Sequence, residues 1–422
     1  MNIIDYPAIG EQVYSSHLPN GLPVFVVPKR DFSKKIAYLA VNYGGNDRRF
    51  QSGNTFIDTP AGVAHFLEHK MFDTKDGSVI NAFSSKGASP NAYTSNEVTV
   101  YHFECIDEFY DNLKLLLRFV STPYFTAENI QKEKGIITQE ICMAEDDPDH
   151  CLYYGILKAL FSHHPIQDSI LGTLESVEQI TEKVLALCHS TFYKPSNMAL
   201  CVVGDVQPEE IYEIADKLLP KGNAKLPVRD YGSPEALLPK TSEFHAKMDV
   251  SLPIFLSGCK SNVFAKGIDR LRLELTAALS LEILAGHSSP LYINLYSQGF
   301  VNSDFSASYD VSHGVAYTLF GGESSDPLRV TDEVCREIEK LANNCIDSNF
   351  LGRVKKATLG SHVRALNSFS AICSGLIYGY FNGYDPFESL QIVSSITEDD
   401  ITKFIREHLI AENMAFGVIT PN

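Results

Sequence analysis

The amino-acid sequence predicts an α+β protein: two similar α/β-sandwich domains, each an antiparallel-rich sheet covered by helices, joined by a linker. Three observations carry this reading. The chain has 422 residues, whereas a single core rarely grows past about 250–300. Each half mixes short β-forming runs, bounded by Gly and Pro, with stretches of helical periodicity, and the order is loosely similar in the two halves. Between them, residues 221–245 (KGNAKLPVRDYGSPEALLPKTSEFH) hold three prolines, two glycines and several charges, the composition of a linker. The expected division is 1–225 for an N-terminal domain, 226–245 for the linker and 246–422 for a C-terminal domain.

The elements follow in order. GLPVFVVPKR and KKIAYLAVNYGG are rich in Val, Tyr and Ile and read as strands. In TPAGVAHFLEHKMF, Thr59 suits a helix cap and Pro60 a first helical turn. NAYTSNEVTVYHFEC carries the β-formers Val98, Val100, Tyr101 and Phe103. IDEFYDNLKLLLRFVS repeats its apolar residues at helical spacing, and AENIQKEKGIITQEICMAEDD is a charged helix. Further helical stretches follow Pro165, then a strand, NMALCVVGDV, and a helix, PEEIYEIADKLL. The second half opens with strand-like SLPIFLSG and a helical pattern over 268–285. Strands are expected at 300–309 and 314–320, and helices at 326–343, 349–383 and 398–408.

Composition narrows the function. Lys plus Arg is 35 and Asp plus Glu is 52, so the formal charge is 35 − 52 = −17. An acidic chain is a poor partner for nucleic-acid phosphates. No run of about 18 apolar residues exists to span a membrane. The first residues, MNIIDYPAIGEQ, have neither the basic nor the apolar region of a secretory signal. The nine cysteines are scattered and include no CxxC pair. They read as reduced thiols, mostly core fillers, of a cytoplasmic protein.

The strongest signal is His65-Phe66-Leu67-Glu68-His69. On a helix, residues four apart lie about 40° apart around the axis, so the two imidazoles face one way and can share a metal ion. Glu68 lies beside them, and Val63, Phe66, Leu67 and Met71 form the opposite, packable face. A hydrolytic zinc needs three protein ligands and an open corner. The helix over 131–145 offers Glu133 and Glu140, seven residues apart and nearly in line. Glu140 sits in the apolar run GIITQEICM, where an unpaired carboxylate is costly. It is the expected third ligand, and Glu133 a supporting or substrate-side carboxylate. Glu145, Asp146 and Asp147 are rivals that look like a solvated helix end. Glu68 would then be the general base, taking a proton from the attacking water and passing it to the leaving amine.

HxxEH is the inverted zinc motif. Together with GASPNAYTSNEVTVYHFE, PYFTAENIQKEKGIITQEICMAEDDPD, HPIQDSILGTLESVEQIT and FYKPSNMALCVVGDV, it resembles the pitrilysin/insulinase family of zinc metallopeptidases. The nearer likeness is to the half-length bacterial branch related to mitochondrial processing peptidases. The resemblance implies one Zn2+ per chain held by His65, His69 and Glu140, with Glu68 as base and Glu133 as supporting carboxylate. It implies that Asn91, Ala92, Tyr93 and Thr94 line the cleft, where a peptide pairs with the strand edge. His163-His164-Pro165 falls outside the ligand pattern and reads as structural.

One departure stands out. Members of the family also use an Arg and a Tyr from a second-half domain to contact the substrate carbonyl. In the matching stretch, SSPLYINLYSQGFVN, Tyr292 takes the Arg position and Phe300 the Tyr position. The expected protein is therefore a zinc endopeptidase for short or unfolded peptides, the metal-bearing half of a heterodimer. A homologous partner lacking HxxEH would supply the Arg and Tyr. The alternatives are a non-catalytic assembly or peptide-binding subunit of the same family and, from the motif alone, a zinc hydrolase for a non-peptide substrate.

Overall fold

The computed structural model describes residues 1–422 except 76, 223 and 224, so two residues of the expected linker stretch lie outside the described residues. Two helix-covered sheets, mostly antiparallel, make up the fold. One compact unit comprises residues 1–141, 169–231 and 363–381. The other comprises 142–168, 232–362 and 382–422. These units differ from contiguous chain halves by two exchanged segments. The helix Pro148–Leu160 buries Leu152, Ile156 and Leu157 among residues of the second unit, including Ile254, Leu319 and Ile419. The helix Phe369–Asn382 sets Cys373 beside Cys201 and Tyr380 against Phe25 in the first.

The first unit's sheet has the order Asn2–Tyr6, Glu11–His17, Pro23–Pro28, Met198–Gly204, Lys35–Val41, Thr99–Cys105, Ala88–Thr94. Met198–Gly204 is buried along its whole length, as its uninterrupted apolar sequence MALCVVG requires. Leu39, Tyr101, Phe103, Leu200 and Val202 pack with Phe66, Leu67, Leu113, Leu117 and Phe192 into one core. Ala88–Thr94 is an edge strand, antiparallel to Thr99–Cys105. The second unit's sheet runs Glu243–Met248, Ala415–Pro421, Ile254–Asn262, Val315–Glu323, Ser306–Ser312.

Two elements depart from the expected bounds. The 349–383 helix is two helices, Ser348–Ala365 and Phe369–Asn382. Asn367 and Ser368 interrupt it, and the Ser368 hydroxyl accepts from the Ala371 N–H at 3.2 Å, as a helix cap does. The 300–309 strand is Ser306–Ser312 instead. Asn302 turns the chain before it, its side chain accepting from the Asp304 N–H at 2.8 Å.

Part of the linker stretch is pinned rather than free. Glu235 is buried and accepts hydrogen bonds from the backbone N–H groups of Ser162, His163 and His164 at 3.1, 2.9 and 2.9 Å. The buried Lys260 ammonium donates to it at 3.0 Å and to the Leu160 carbonyl. This explains the His163-His164 pair as part of a structural hub. Burial alone would raise the Glu235 pKa, but these donors outweigh it and bring it to about 2. A carboxylate depressed on folding stabilises above its unfolded value and loses that contribution as pH falls through its folded value. We expect Lys260→Met to lower unfolding free energy at neutral pH by about 3–5 kcal/mol. In the wild type the hub's contribution should fade between about pH 4.5 and 2. Denaturant melts of both proteins across that window check this.

Candidate metal centre

The site is built on the helix Val63–Met71. Its N-cap is Gly62 at φ 87°, with no side-chain cap. A Cβ there would stand 2.4 Å from the Leu171 carbonyl oxygen, so the residue has to be glycine both for its backbone and for its space. Thr59 is therefore not the cap: its hydroxyl donates to the Arg48 carbonyl at 2.9 Å and ties down the segment before the helix. Val63, Phe66, Leu67 and Met71 are buried in the first unit's core, which turns His65 and His69 outward together. Their ring centroids are 4.5 Å apart.

The helix Ala127–Glu145 brings Glu140 to them. Its Oε2 lies 3.7 Å from His65 Nε2 and 3.8 Å from His69 Nε2. One donor atom from each residue falls within 4.8 Å of the others. Ligand atoms about 2.0–2.1 Å from a tetrahedral zinc stand about 3.3–3.5 Å apart. The set thus matches zinc in chemistry, two imidazoles and a carboxylate, and the two Glu140 distances are a few tenths of an ångström wide of its closed geometry. Two turns earlier, Glu133 accepts from His69 Nδ1 at 3.0 Å, which leaves Nε2 of that ring free to bind a cation. His65 Nδ1 is buried with no hydrogen-bond partner among the described residues, so His69 is the better oriented ring.

Electrostatics separate the roles. Burial, reinforced by His69, lowers the His65 pKa to about 4, so this ring is neutral at pH 7, the form a metal needs. For His69, burial pulls the pKa down, but the Glu133 hydrogen bond and the surrounding carboxylates outweigh it and the pKa rises. Burial raises the pKa of Glu68. Glu133 is pushed up by burial and pulled down further by His69 and Lys70, ending below its ordinary value.

Glu68 Oε2 accepts from the Thr94 hydroxyl at 2.6 Å. Thr94 ends the edge strand Ala88–Thr94, so that strand runs up to the carboxylate. The Ala92 N–H is satisfied by the side chain of Asn91 at 2.9 Å, and Asn91 and Tyr93 are exposed on the same strand.

One sequence-based argument needs correction. Glu140 does not sit in a buried apolar patch. Its side chain is 37% exposed, and Ile136 and Met143, which suggested burial, are 42% and 73% exposed. Its place among the ligand donors rests on geometry alone. Glu145, Asp146 and Asp147 are exposed at the helix end, as expected, and Asp147 also caps the next helix by accepting from the Asp149 N–H at 2.9 Å. Tyr292 is a core residue, only 8% exposed and stacked on His287, while Tyr296 one turn on is 55% exposed. Phe300 lies against the same core under the Arg329 guanidinium, 4.1 Å from its ring centroid. Pattern reading also missed Lys70, which occupies a core-facing position and pairs with Glu133.

Comparison with known proteins agrees with the fold and with the family resemblance. Residues 55–174 match insulinase (peptidase family M16), and residues 179–358 match the peptidase M16 inactive domain. The chain is 35% identical over 425 aligned residues to the uncharacterized zinc protease YmfH of Bacillus subtilis, covering 99% of each. It is 31% identical to a probable mitochondrial-processing peptidase subunit beta of Arabidopsis thaliana, over 48% of this chain and 38% of that one. A putative M16-like peptidase from Alicyclobacillus acidocaldarius has the same fold, with a TM-score of 0.94 and 31% identity over 99% of this chain and 100% of that chain. The chain belongs to the insulinase family of peptidases, family M16. Among the described residues no helix is long and apolar enough to cross a membrane.

Proposed function

We propose that the chain is a zinc-dependent endopeptidase for short or unfolded peptides and the metal-bearing subunit of a dimer. The observation that carries this reading is the convergence of His65, His69 and Glu140 beside Glu68, at the end of an open strand edge. His65 Nε2, His69 Nε2 and a Glu140 oxygen would hold one zinc ion. When bound, that ion supplies Lewis acidity, polarising a peptide carbonyl and bringing the pKa of a water down toward 7. Glu68 takes a proton from the water as the water oxygen bonds the carbonyl carbon, then delivers that proton to the amine nitrogen as the peptide C–N bond breaks. The Thr94 hydroxyl fixes Oε2 of Glu68 and leaves the other oxygen for the proton. Glu133 orients His69.

The peptide backbone pairs with the free edge at Asn91, Ala92, Tyr93 and Thr94, giving affinity from main-chain hydrogen bonds with loose side-chain preference. The Ala92 N–H donates to the Asn91 side chain, and a substrate carbonyl would take that side chain's place as its acceptor. Ala92→Pro removes that donor without cutting the ladder. It should raise KM several-fold while zinc content and melting temperature hold. Steady-state kinetics on an unstructured peptide checks this.

The second half offers no Arg at the substrate-contacting stretch, and its Tyr292 is buried. A homologous chain lacking HxxEH would supply those groups, making the functional unit a heterodimer. In support, one relative is by name a subunit of a processing peptidase. All nine cysteines are free thiols, which fits a reducing compartment and makes the cytoplasm the proposed location. Purified alone, the chain should bind zinc yet cleave peptides roughly 10²–10³ slower than when mixed with such a partner, the loss seen when an oxyanion contact is removed. Full-rate proteolysis by a homogeneous preparation would contradict the divided site.

A further inference from the structure

Lys70 is the last residue one would place on its own helix face. Val63, Phe66, Leu67 and Lys70 form the stripe that packs into the first unit's core, and Lys70 is 0% exposed. A buried ammonium is expensive unless it is paired, and an apolar side chain of similar volume is often neutral or stabilising in its place. Core packing therefore gives no reason for a lysine here.

Its contacts give one. The three ammonium hydrogens have three acceptors: Asp73 Oδ2, the Asn129 carbonyl at 3.3 Å and Glu133 Oε2 at 3.4 Å. The other oxygen of Glu133 is the one that meets His69 Nδ1 at 3.0 Å. The carboxylate of Glu133 is thus anchored at both ends, by an ammonium on one side and by the imidazole on the other. A carboxylate held only by His69 could rotate about its own torsions, and the ring with it. Held also by Lys70, it fixes which nitrogen of His69 bears hydrogen and which way the opposite nitrogen points.

We propose that Lys70 is a positioning residue of the zinc site, acting through Glu133 to hold His69 with Nε2 turned toward Glu140. The proposal rests on reading His65, His69 and Glu140 as that site. It predicts a separation of roles that a purely structural lysine would not show: metal affinity falls while the fold persists.

The test is zinc affinity, measured by competition with a chromophoric chelator, together with the visible absorption of the cobalt-substituted protein. The proteins are wild type, Lys70→Met, Glu133→Gln and the double variant, with Lys70→Gln as a less drastic second substitution. Lys70→Met and Lys70→Gln should each bind zinc roughly 10–100-fold more weakly, with an altered cobalt spectrum and a native circular dichroism spectrum. The double variant should bind as Glu133→Gln does, because the lysine has then lost the group through which it acts. Wild-type affinity in both lysine variants overturns the proposal, as does a double variant whose loss is the product of the single losses. Loss of the native fold in both lysine variants also overturns it and assigns Lys70 to folding. A wild type that binds no zinc refutes the site itself, a different failure.

Discussion

Glu68→Gln is expected to reduce peptide hydrolysis by roughly 10²–10⁴-fold while leaving zinc binding and thermal stability near wild type. The size of the effect follows from what the substitution removes. Gln keeps the shape of the side chain and can still accept from the Thr94 hydroxyl, whose oxygen now lies 2.6 Å from Glu68 Oε2. It cannot take a proton from water at neutral pH. Glu68 is not among the donors that converge on the metal position, so the metal should stay. The measurement is kcat on an unstructured peptide, with zinc content determined on the same samples and any required partner present. Equal rates for the two proteins would end the enzyme reading and favour a binding role.

His65→Ala should have the larger effect on the metal itself. It removes one of three ligand donors, and a zinc held by one imidazole and a carboxylate that is 37% exposed has little to retain it. We expect no stoichiometric zinc after dialysis, hydrolysis at background, and a fold that melts within a few degrees of the zinc-free wild type. The last expectation follows from packing. The helix Val63–Met71 is anchored by Val63, Phe66, Leu67 and Met71 on its buried face, and that face is intact in the variant. A chelator should reproduce the activity loss in the wild type, and added zinc should restore it there but not in the variant.

The motif helix could be read from sequence because everything that defines it is local. Four apolar side chains and two histidines segregate by a 3.6-residue period within one short stretch. The strand Thr99–Cys105 was legible for the same reason, from its β-formers, whereas the edge strand beside it was implied only by the family resemblance. What failed was whatever depended on long-range placement. The exposed environment of Glu140 could not be inferred from its apolar neighbours, because Ile136 and Met143 face outward. The sequence reading assigns no helix to Pro148–Leu160, and periodicity does not say which unit it or Phe369–Asn382 packs with. Lys70 was hidden because a lone lysine beside a motif reads as a solvated end, and only the approach of Glu133, 63 residues on, explains it. Cap chemistry failed at Thr59, where a tertiary bond to Arg48 took the hydroxyl.

The account stands on a zinc ion shared by His65, His69 and Glu140, and anomalous diffraction at the zinc absorption edge from crystals of the zinc-loaded protein tests it most directly. One strong peak per chain is expected, in contact with His65 Nε2, His69 Nε2 and a carboxylate oxygen of Glu140. A peak elsewhere on the chain, or zinc-loaded crystals with no peak between those three side chains, would contradict it.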